Sequence, residues 1–599
     1  MINYDHIQFD PSVNRVRAPR GVAGPASPQR TSHNVPQPPA DPADPYRNTH
    51  LGWFEASVKD ERGKDRPYGF YIPATMKTSG SMMIVLIPGG EVPVEFFRRG
   101  GWKESLERHC MTAYFVSAPD GWDLEDPGYE VDTAVRVFAE MRSMEYFPAN
   151  APSVYALGFG DGANISVILT VLYQSYFAAF AACGDTEVDS ALLDRIGSAA
   201  SDCDPAVSRS EVTKPAYIVG PYTNAVDYFR KACRTGERYL SNGFARVYQE
   251  EPGLRSSFVN DDGRAEVWHS TYEQADQLGF ETLVEKMVAF VAGYQFWGTY
   301  GNGDTRRTVT AENNPDLIRT DAVIDGFRRF WYTFEPSAYK RKVKDSYPLV
   351  IAIHGFSCSG EFYMQNSCWH RIAEDREFFV VYPTAYPFTD TPGGTQSAIR
   401  TGIATPHWNA HGYDGTLDTD GQGPDDVNFF RQMLDMVLEK YPEIDPERVY
   451  VSGHSNGGMM TQRLMRMMPE RFAGFAPVGA MECRTAMLPA PGDGIVRNVW
   501  YTIGEHDGAG CSLEGDNGNT RTLRMICEAD GLDYESARAY DSGYYHHVII
   551  RDSANVPLVR FTGVRNWPHT VTPDVCYMIY DQFFSRFVRH KDGTLEYLA

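Results

Sequence analysis

The stretch VYVSGHSNGGMMTQRLM, residues 449–465, decides the fold. An apolar run ends at Gly453, Ser455 follows, two glycines come next, and a Met-rich segment with helical spacing takes over. That order is strand, sharp turn, helix, with G-x-S-x-G at the turn. Small neighbours let the backbone close on itself, and the serine is held in a strained conformation with its hydroxyl above the sheet. The N–H of the next residue, Asn456, points toward whatever the hydroxyl attacks, with the positive end of the following helix beneath it. Ser455 is therefore the predicted nucleophile.

Working outward, the same half contains YPLVIAIHGF (347–356), FFVVYPTAY (378–386) and RNVWYTIG (497–504). Between them lie a helical DDVNFFRQMLDMVLEKY (425–441) and a closing apolar-periodic helix near 573–589. Short Val/Ile-rich runs separated by helices read as strands buried on both faces, hence a parallel sheet covered on either side. The first half repeats the order with MMIVLIPGG (82–90), AYFVSAP (113–119), a helical 132–145, SVYALG (153–158), KPAYIVG (214–220) and a helix near 273–296. The fold class is thus α/β, with two tandem sandwiches of mostly parallel sheet flanked by helices. The expected domains are 49–300 and 321–599, joined by a polar linker over 301–320. Residues 1–48 form a proline-rich arm that cannot bury a core.

Bulk properties agree. A chain of 599 residues is longer than one core usually serves. Its 42% hydrophobic and 22% charged content is that of a globular protein. A net charge of −22 repels phosphate backbones, so nucleic acid is not an expected partner. No apolar run approaches the roughly 20 residues of a membrane span, so no membrane association is expected. The opening MINYDHIQFDPSVNRVR has no apolar signal core, which predicts a cytoplasmic location. The ten cysteines form no CxxC and read as small buried residues. Cys358 and Cys368 are close enough in sequence to pair in an oxidising compartment.

A serine hydroxyl needs a base, and on this topology the acid follows the serine and the histidine comes last. VWYTIGEHDGAG (499–510) offers Asp507 after a buried strand, with Glu505 second. NWPHTVTPD (566–574) offers His569 before the last helix; His546 and His547, in YYHHVIIRD, are its rivals. The oxyanion donors are the N–H of Asn456 and an N–H from AIHGFSCSG (352–360), that of Phe356 or alternatively Ser357. The expected substrate-binding residues are His354, His407, Trp408, His454 and Trp567, with His411 and Tyr413 in the same rim loop as His407. The acidic DGTLDTDGQGPDD (414–426) lacks the glutamate spacing of an EF-hand, and neither metal nor cofactor is expected.

The block DDVNFFRQMLDMVLEKYPEIDPERVYVSGHSNGGMM, with HGF, GEHD and WPHT, resembles the polyhydroxybutyrate-depolymerase-like esterases, a group that includes feruloyl and acetylxylan esterases. The likeness covers about residues 325–590. It implies an α/β-hydrolase fold, metal-free hydrolysis of carboxylic esters, and Ser455, Asp507 and His569 as the triad. It departs from the group's usual glycine-rich sequence around the histidine, since Trp567 and Pro568 precede His569 here. The expected activity is that of a serine esterase on a hydroxycinnamate, acetylated-carbohydrate or hydroxyalkanoate substrate. The alternatives are a carbohydrate- or polyester-binding protein with little catalysis and a peptidase on the same fold.

Setting VYALGFGDGA on VYVSGHSNGG places Gly160 at Ser455 and Asp161 at Asn456. The same comparison puts Thr223 at Asp507 and His269 near His569, and LIPGG replaces AIHGF. Asp161 falls one residue late for a nucleophile. The first half is expected to be a degenerate copy that supports or covers the second, binds polymer, or offers a homo-oligomer surface.

Overall fold

The structure, a computed structural model, describes residues 32–33, 46, 51–76, 80–143, 153–202, 207–251, 265–296, 305–387, 406–410, 424–480, 494–508, 510–565, 567 and 569–598. The chain divides into two compact units that part at Thr308 and Val309.

In the first unit the strands are β1 (Ser32–His33), β2 (Gly52–Lys59), β3 (Asp65–Ile72), β4 (Ser81–Leu86), β5 (Met111–Val116), β6 (Val154–Phe159), β7 (Ala179–Cys183), β8 (Ala216–Val219), β9 (Leu240–Ser241), β10 (Arg246–Gln249) and β11 (Glu266–Ser270). They form one sheet in the order β1-β2-β3-β5-β4-β6-β7-β8-β11-β10-β9. From β5 to β11 the neighbours are parallel, and the strands at both edges are antiparallel. A small hairpin of β12 (Tyr294–Phe296) and β13 (Thr305–Arg307) follows.

The second unit contains β14 (Leu317–Ile324), β15 (Phe327–Phe334), β16 (Tyr347–Ile353), β17 (Phe379–Thr384), β18 (Ile444–His454), β19 (Gly474–Val478), β20 (Val499–Gly504), β21 (Arg538–Ser542), β22 (Tyr545–Ile550) and β23 (Val559–Val564). Their order is β14-β15-β17-β16-β18-β19-β20-β23-β22-β21. Apart from β1, this is the strand order of the first unit, with the same parallel centre and antiparallel edges.

The sequence explains this layout. β4, β5, β6, β16, β17 and β20 are predominantly apolar and, β4's first residue aside, buried throughout, as strands with helices on both faces must be. β14, LIRTDAVI, alternates buried and exposed positions and sits at an edge with one wet face. Each sheet has an apolar cluster on either side, for example Phe138, Ile168 and Phe229 opposite Trp102, Phe115 and Val288 in the first unit. In the second unit, Met433, Leu464 and Phe475 lie opposite Trp369, Val380 and Phe584.

Three expectations change. The linker of 301–320 is shortened at both ends, because residues 305–307 pair with β12 and β14 begins at Leu317. Cys358 and Cys368 form no disulfide with one another. The hairpins β2–β3 and β14–β15 were not foreseen, since their charged and aromatic alternation carries no continuous apolar run. His411, Tyr413 and residues 414–423 lie outside the described residues. Among the described residues no helix is long and apolar enough to cross a membrane.

Candidate active site

Ser455 sits between β18 and the helix Asn456–Met467 with φ 57° and ψ −121°, a conformation that L-residues adopt only under strain. Its N–H donates to the Val478 carbonyl of β19 at 2.9 Å. The flanking glycines are required by close approach. A Cβ on Gly453 would lie 2.3 Å from the Gly457 carbonyl oxygen, and one on Gly457 would lie 2.3 Å from that of Ile353. Asn456 opens the helix, so its N–H is among those a helix leaves without an internal acceptor.

Asp507 follows β20, and His569 lies in the loop between β23 and the helix Pro573–Gln582. The structure brings them together: His569 Nδ1 is 2.7 Å from Asp507 Oδ1. Donation of the Nδ1 proton to the carboxylate leaves Nε2 as the acceptor of the ring. Asp507 is buried, and among the described residues its Oδ2 has no hydrogen-bond partner. Glu505 and His506 are exposed. The rivals His546 and His547 lie in β22. His546 is exposed and bonded to Asp541, while His547 is buried and bonded to Thr562. Among the described residues no hydrogen bond joins Ser455 Oγ to His569, whose Nδ1 is held by Asp507.

The ring of His454 links the two parts. It packs against His569 with centroids 4.6 Å apart and the ring planes tilted by 39°. Its Nε2 and Asp507 Oδ2 both come within 3.1 Å of where a Cβ on Gly479 would stand. Gly479 has φ 61°, so this crossing admits only glycine without strain. Nothing in the sequence around Gly479 had singled it out.

The N–H groups of Phe356 and Ser357, in the loop after β16, are the candidates for the second oxyanion donor. The Ser357 N–H is taken by the Pro406 carbonyl at 3.0 Å, which removes that alternative and leaves Phe356. Gly355 holds the loop against the nucleophile, its Cβ position being 3.3 Å from Ser455 Cβ. Phe356 also exposes its ring, 46% accessible and packed on His407 with centroids 5.0 Å apart.

Three of the expected substrate-binding residues are buried supports. His354 is inaccessible: its Nδ1–H donates to the Gly355 carbonyl at 2.6 Å, and its Nε2 accepts from the Ala385 N–H at 2.9 Å. The Ala385 donor fixes this tautomer, and burial pushes the His354 pKa down to about 3. Trp408 is 1% exposed; its indole N–H donates to the His354 carbonyl at 2.8 Å. The Asn456 side chain grips the Trp408 backbone from both sides, accepting from its N–H at 2.6 Å and donating to its carbonyl at 3.2 Å. His407 is buried beneath Phe356. His454 and Trp567 keep partial exposure.

These buried imidazoles predict a pH dependence. Burial lowers His354 to about 3 and His547 to about 4, and holds His454 well below the usual imidazole range. A histidine whose folded pKa lies below its unfolded value binds fewer protons when folded. Stability therefore rises with pH between the two values and is lost as pH falls below about 6.5. His354 and His547 together should cost on the order of 3 kcal/mol between pH 6.5 and 5. Urea midpoints of the full chain at both pH values check this, and equal midpoints would refute it.

The first unit has the same strand order, and the residues at the matching positions differ. Gly160 has φ 58° at the turn after β6, and its N–H donates to the Cys183 carbonyl as that of Ser455 donates to Val478. The Trp122 indole N–H donates to the Ile87 carbonyl at 2.7 Å, the counterpart of Trp408 on His354. Asp161 accepts from the N–H groups of Gly89 at 2.7 Å, Trp122 at 3.2 Å and Gly162 at 3.2 Å. By sheet register, with Leu86 opposing Gly158 as Ile353 opposes Gly453, it is Gly89 that stands where Phe356 does, and its N–H is held by this carboxylate. His269 is not near the place of His569. It lies within β11, bonded to the Gly220 carbonyl at 3.0 Å, and a helix begins at Tyr272, leaving no room for the histidine loop. Thr223 opens the helix Thr223–Ala232 and its hydroxyl donates to Glu187.

Residues 420–519 match the model of the prolyl oligopeptidase family. Over 130 residues the chain is 32% identical to the bifunctional acetylxylan esterase/xylanase XynS20E of Neocallimastix patriciarum, covering 22% of this chain and 15% of that protein. Over 250 residues it is 25% identical to poly(3-hydroxyalkanoate) depolymerase C of Paucimonas lemoignei, covering 38% and 56%. The chain thus spans little more than half, or less, of the length of these relatives. Among solved structures it is similar to an acetyl xylan esterase from Aspergillus awamori, at 17% identity and TM-score 0.32, covering 45% of this chain and 99% of that one. The chain is similar to named carboxylic-ester hydrolases, and the stretch matched by the family model contains both Ser455 and Asp507.

Proposed function

We propose that the second unit is a serine carboxylic-ester hydrolase working through an acyl-enzyme. The observation that carries this reading is the strained Ser455 turn beside the 2.7 Å Asp507–His569 pair. His569 Nε2 takes the Ser455 proton as Oγ attacks the ester carbonyl. The oxyanion accepts from the N–H groups of Asn456 and Phe356. His569 returns the proton to the leaving alkoxide, and a water then repeats the sequence on the acyl-enzyme. Asp507 holds the imidazole tautomer and balances its positive charge. The exposed Phe356 ring gives the acyl or alcohol group a flat apolar wall. The names of similar proteins support an acetylated-carbohydrate or hydroxyalkanoate ester, and the sequence likeness adds hydroxycinnamates.

A fluorophosphonate probe is expected to label one residue per chain, Ser455, as located by peptide mass mapping. Labelling elsewhere, or none on folded protein, refutes the assignment. A peptidase is the second reading, favoured by the family match over residues 420–519. Acetyl, feruloyl and hydroxybutyrate esters should be turned over at least about 100-fold faster than a prolyl p-nitroanilide, a margin of about 2.7 kcal/mol in barrier. The reverse order selects the peptidase.

A further inference from the structure

We propose that the first unit binds a neutral, polyhydroxylated ligand of the oligosaccharide class in a cleft beside the turn that carries Asp161. The cleft is about 600 Å³, within the range of small-molecule sites. Its walls are the β2–β3 turn, the loop after β5 and the start of the helix Pro127–Ser143. Tyr68 of β3 pairs with Val116, which puts the β2–β3 turn beyond the carboxyl end of β5. Open α/β sheets take their ligands on that side.

The floor is built rather than incidental. Arg66 is buried and reaches Asp60 at 3.0 Å and both Glu130 oxygens at 2.9 and 2.8 Å. The Tyr129 hydroxyl donates to the same Asp60. Burying these charges is unfavourable compared with an apolar plug, and the satisfied network gives a rigid polar base. The rim alternates signs. Arg62 lies 3.5 Å from Asp123 and Lys64 lies 3.2 Å from Asp120, all four side chains exposed. The Arg62 guanidinium covers the Tyr129 ring at 3.6 Å.

This lining selects among ligand classes. An anion meets carboxylates on every wall. The described residues contain no group of three His, Cys, Asp or Glu able to hold a metal ion. An apolar ligand would strip water from ions without replacing it. A neutral polyol offers donors and acceptors at once, matching guanidinium and ammonium groups next to carboxylates. Trp122 joins the two sites, since it lines the cleft and donates its backbone N–H to Asp161. The Asp161 carboxylate thus occupies the turn after β6, while the neighbouring cleft stays open.

The proposal does not rest on ester hydrolysis. Its test is titration of the full chain with xylohexaose and with cellohexaose, neither of which is an ester. At least one should bind saturably with a dissociation constant of about 1 mM or tighter. Hydrogen exchange should slow at residues 60–66 and 119–130. The charge-neutral double variant Lys64→Ala/Asp120→Ala changes only exposed side chains and should bind about tenfold more weakly. Its rate on p-nitrophenyl acetate should equal that of the unsubstituted chain. Absence of saturation with both sugars, protection confined to the second unit, or undiminished binding by the double variant would overturn the proposal.

Discussion

Replacing Ser455 with alanine is expected to lower kcat on the best ester by about 10⁶-fold while leaving the thermal transition in place. The size follows from how such groups act. Without the hydroxyl no acyl-enzyme forms, and the oxyanion donors and binding alone retain about 10³–10⁴ over water. Stability should hold, because alanine keeps the Cβ and with it the same backbone conformation at φ 57°, and the lost Oγ has no hydrogen-bond partner among the described residues. Gly160→Ser, which places a hydroxyl at the matching turn of the first unit, should create neither turnover nor probe labelling. Asp161 occupies the Gly89 N–H there, and the loop that carries His569 has no counterpart. Wild-type activity in the alanine variant would exclude Ser455 as the nucleophile. Activity gained by Gly160→Ser would overturn the account of the first unit.

What could be read from the sequence depended on the kind of signal. The core strands were legible because strands buried on both faces must be continuously apolar, as YPLVIAI is. Ser455, Asp507 and His569 stood out because each follows such a strand in a loop where few residue types have suitable chemistry. The supports were not legible. His354 and Trp408 look like rim residues until their polar atoms are seen bonded to backbone 31 and 54 residues away. Asp161 reads as an idle substitution until its carboxylate is found on the backbone of Gly89, 72 residues earlier. His269 misled because local similarity ignores sheet register: Ser270 opposes Val219 in β8, so its neighbour belongs to a strand and not to a loop. Spacing along a chain reports local periodicity, whereas these roles come from closures between distant segments.

The second large effect concerns Asp507. Asp507→Asn should lower kcat by about 10⁴-fold with little change in fold or in KM. The carboxylate accepts from His569 Nδ1 at 2.7 Å, which leaves Nε2 free to take the serine proton. Asparagine is nearly isosteric, yet it can present its NH₂ group to Nδ1. The ring then carries its proton on Nε2, facing Ser455, where it cannot act as a base. The buried setting enlarges the effect, since Oδ2 lies close to Gly479 and His454 and little water screens the charge. Asp507→Glu keeps the charge but lengthens the side chain against the Gly479 backbone, so it should recover only part of the loss. The measurement is kcat and KM for the three proteins on one ester, with urea midpoints as the control for folding. A fall of less than about tenfold in Asp507→Asn would mean that the tautomer is held by another group, with Glu505 the first to test.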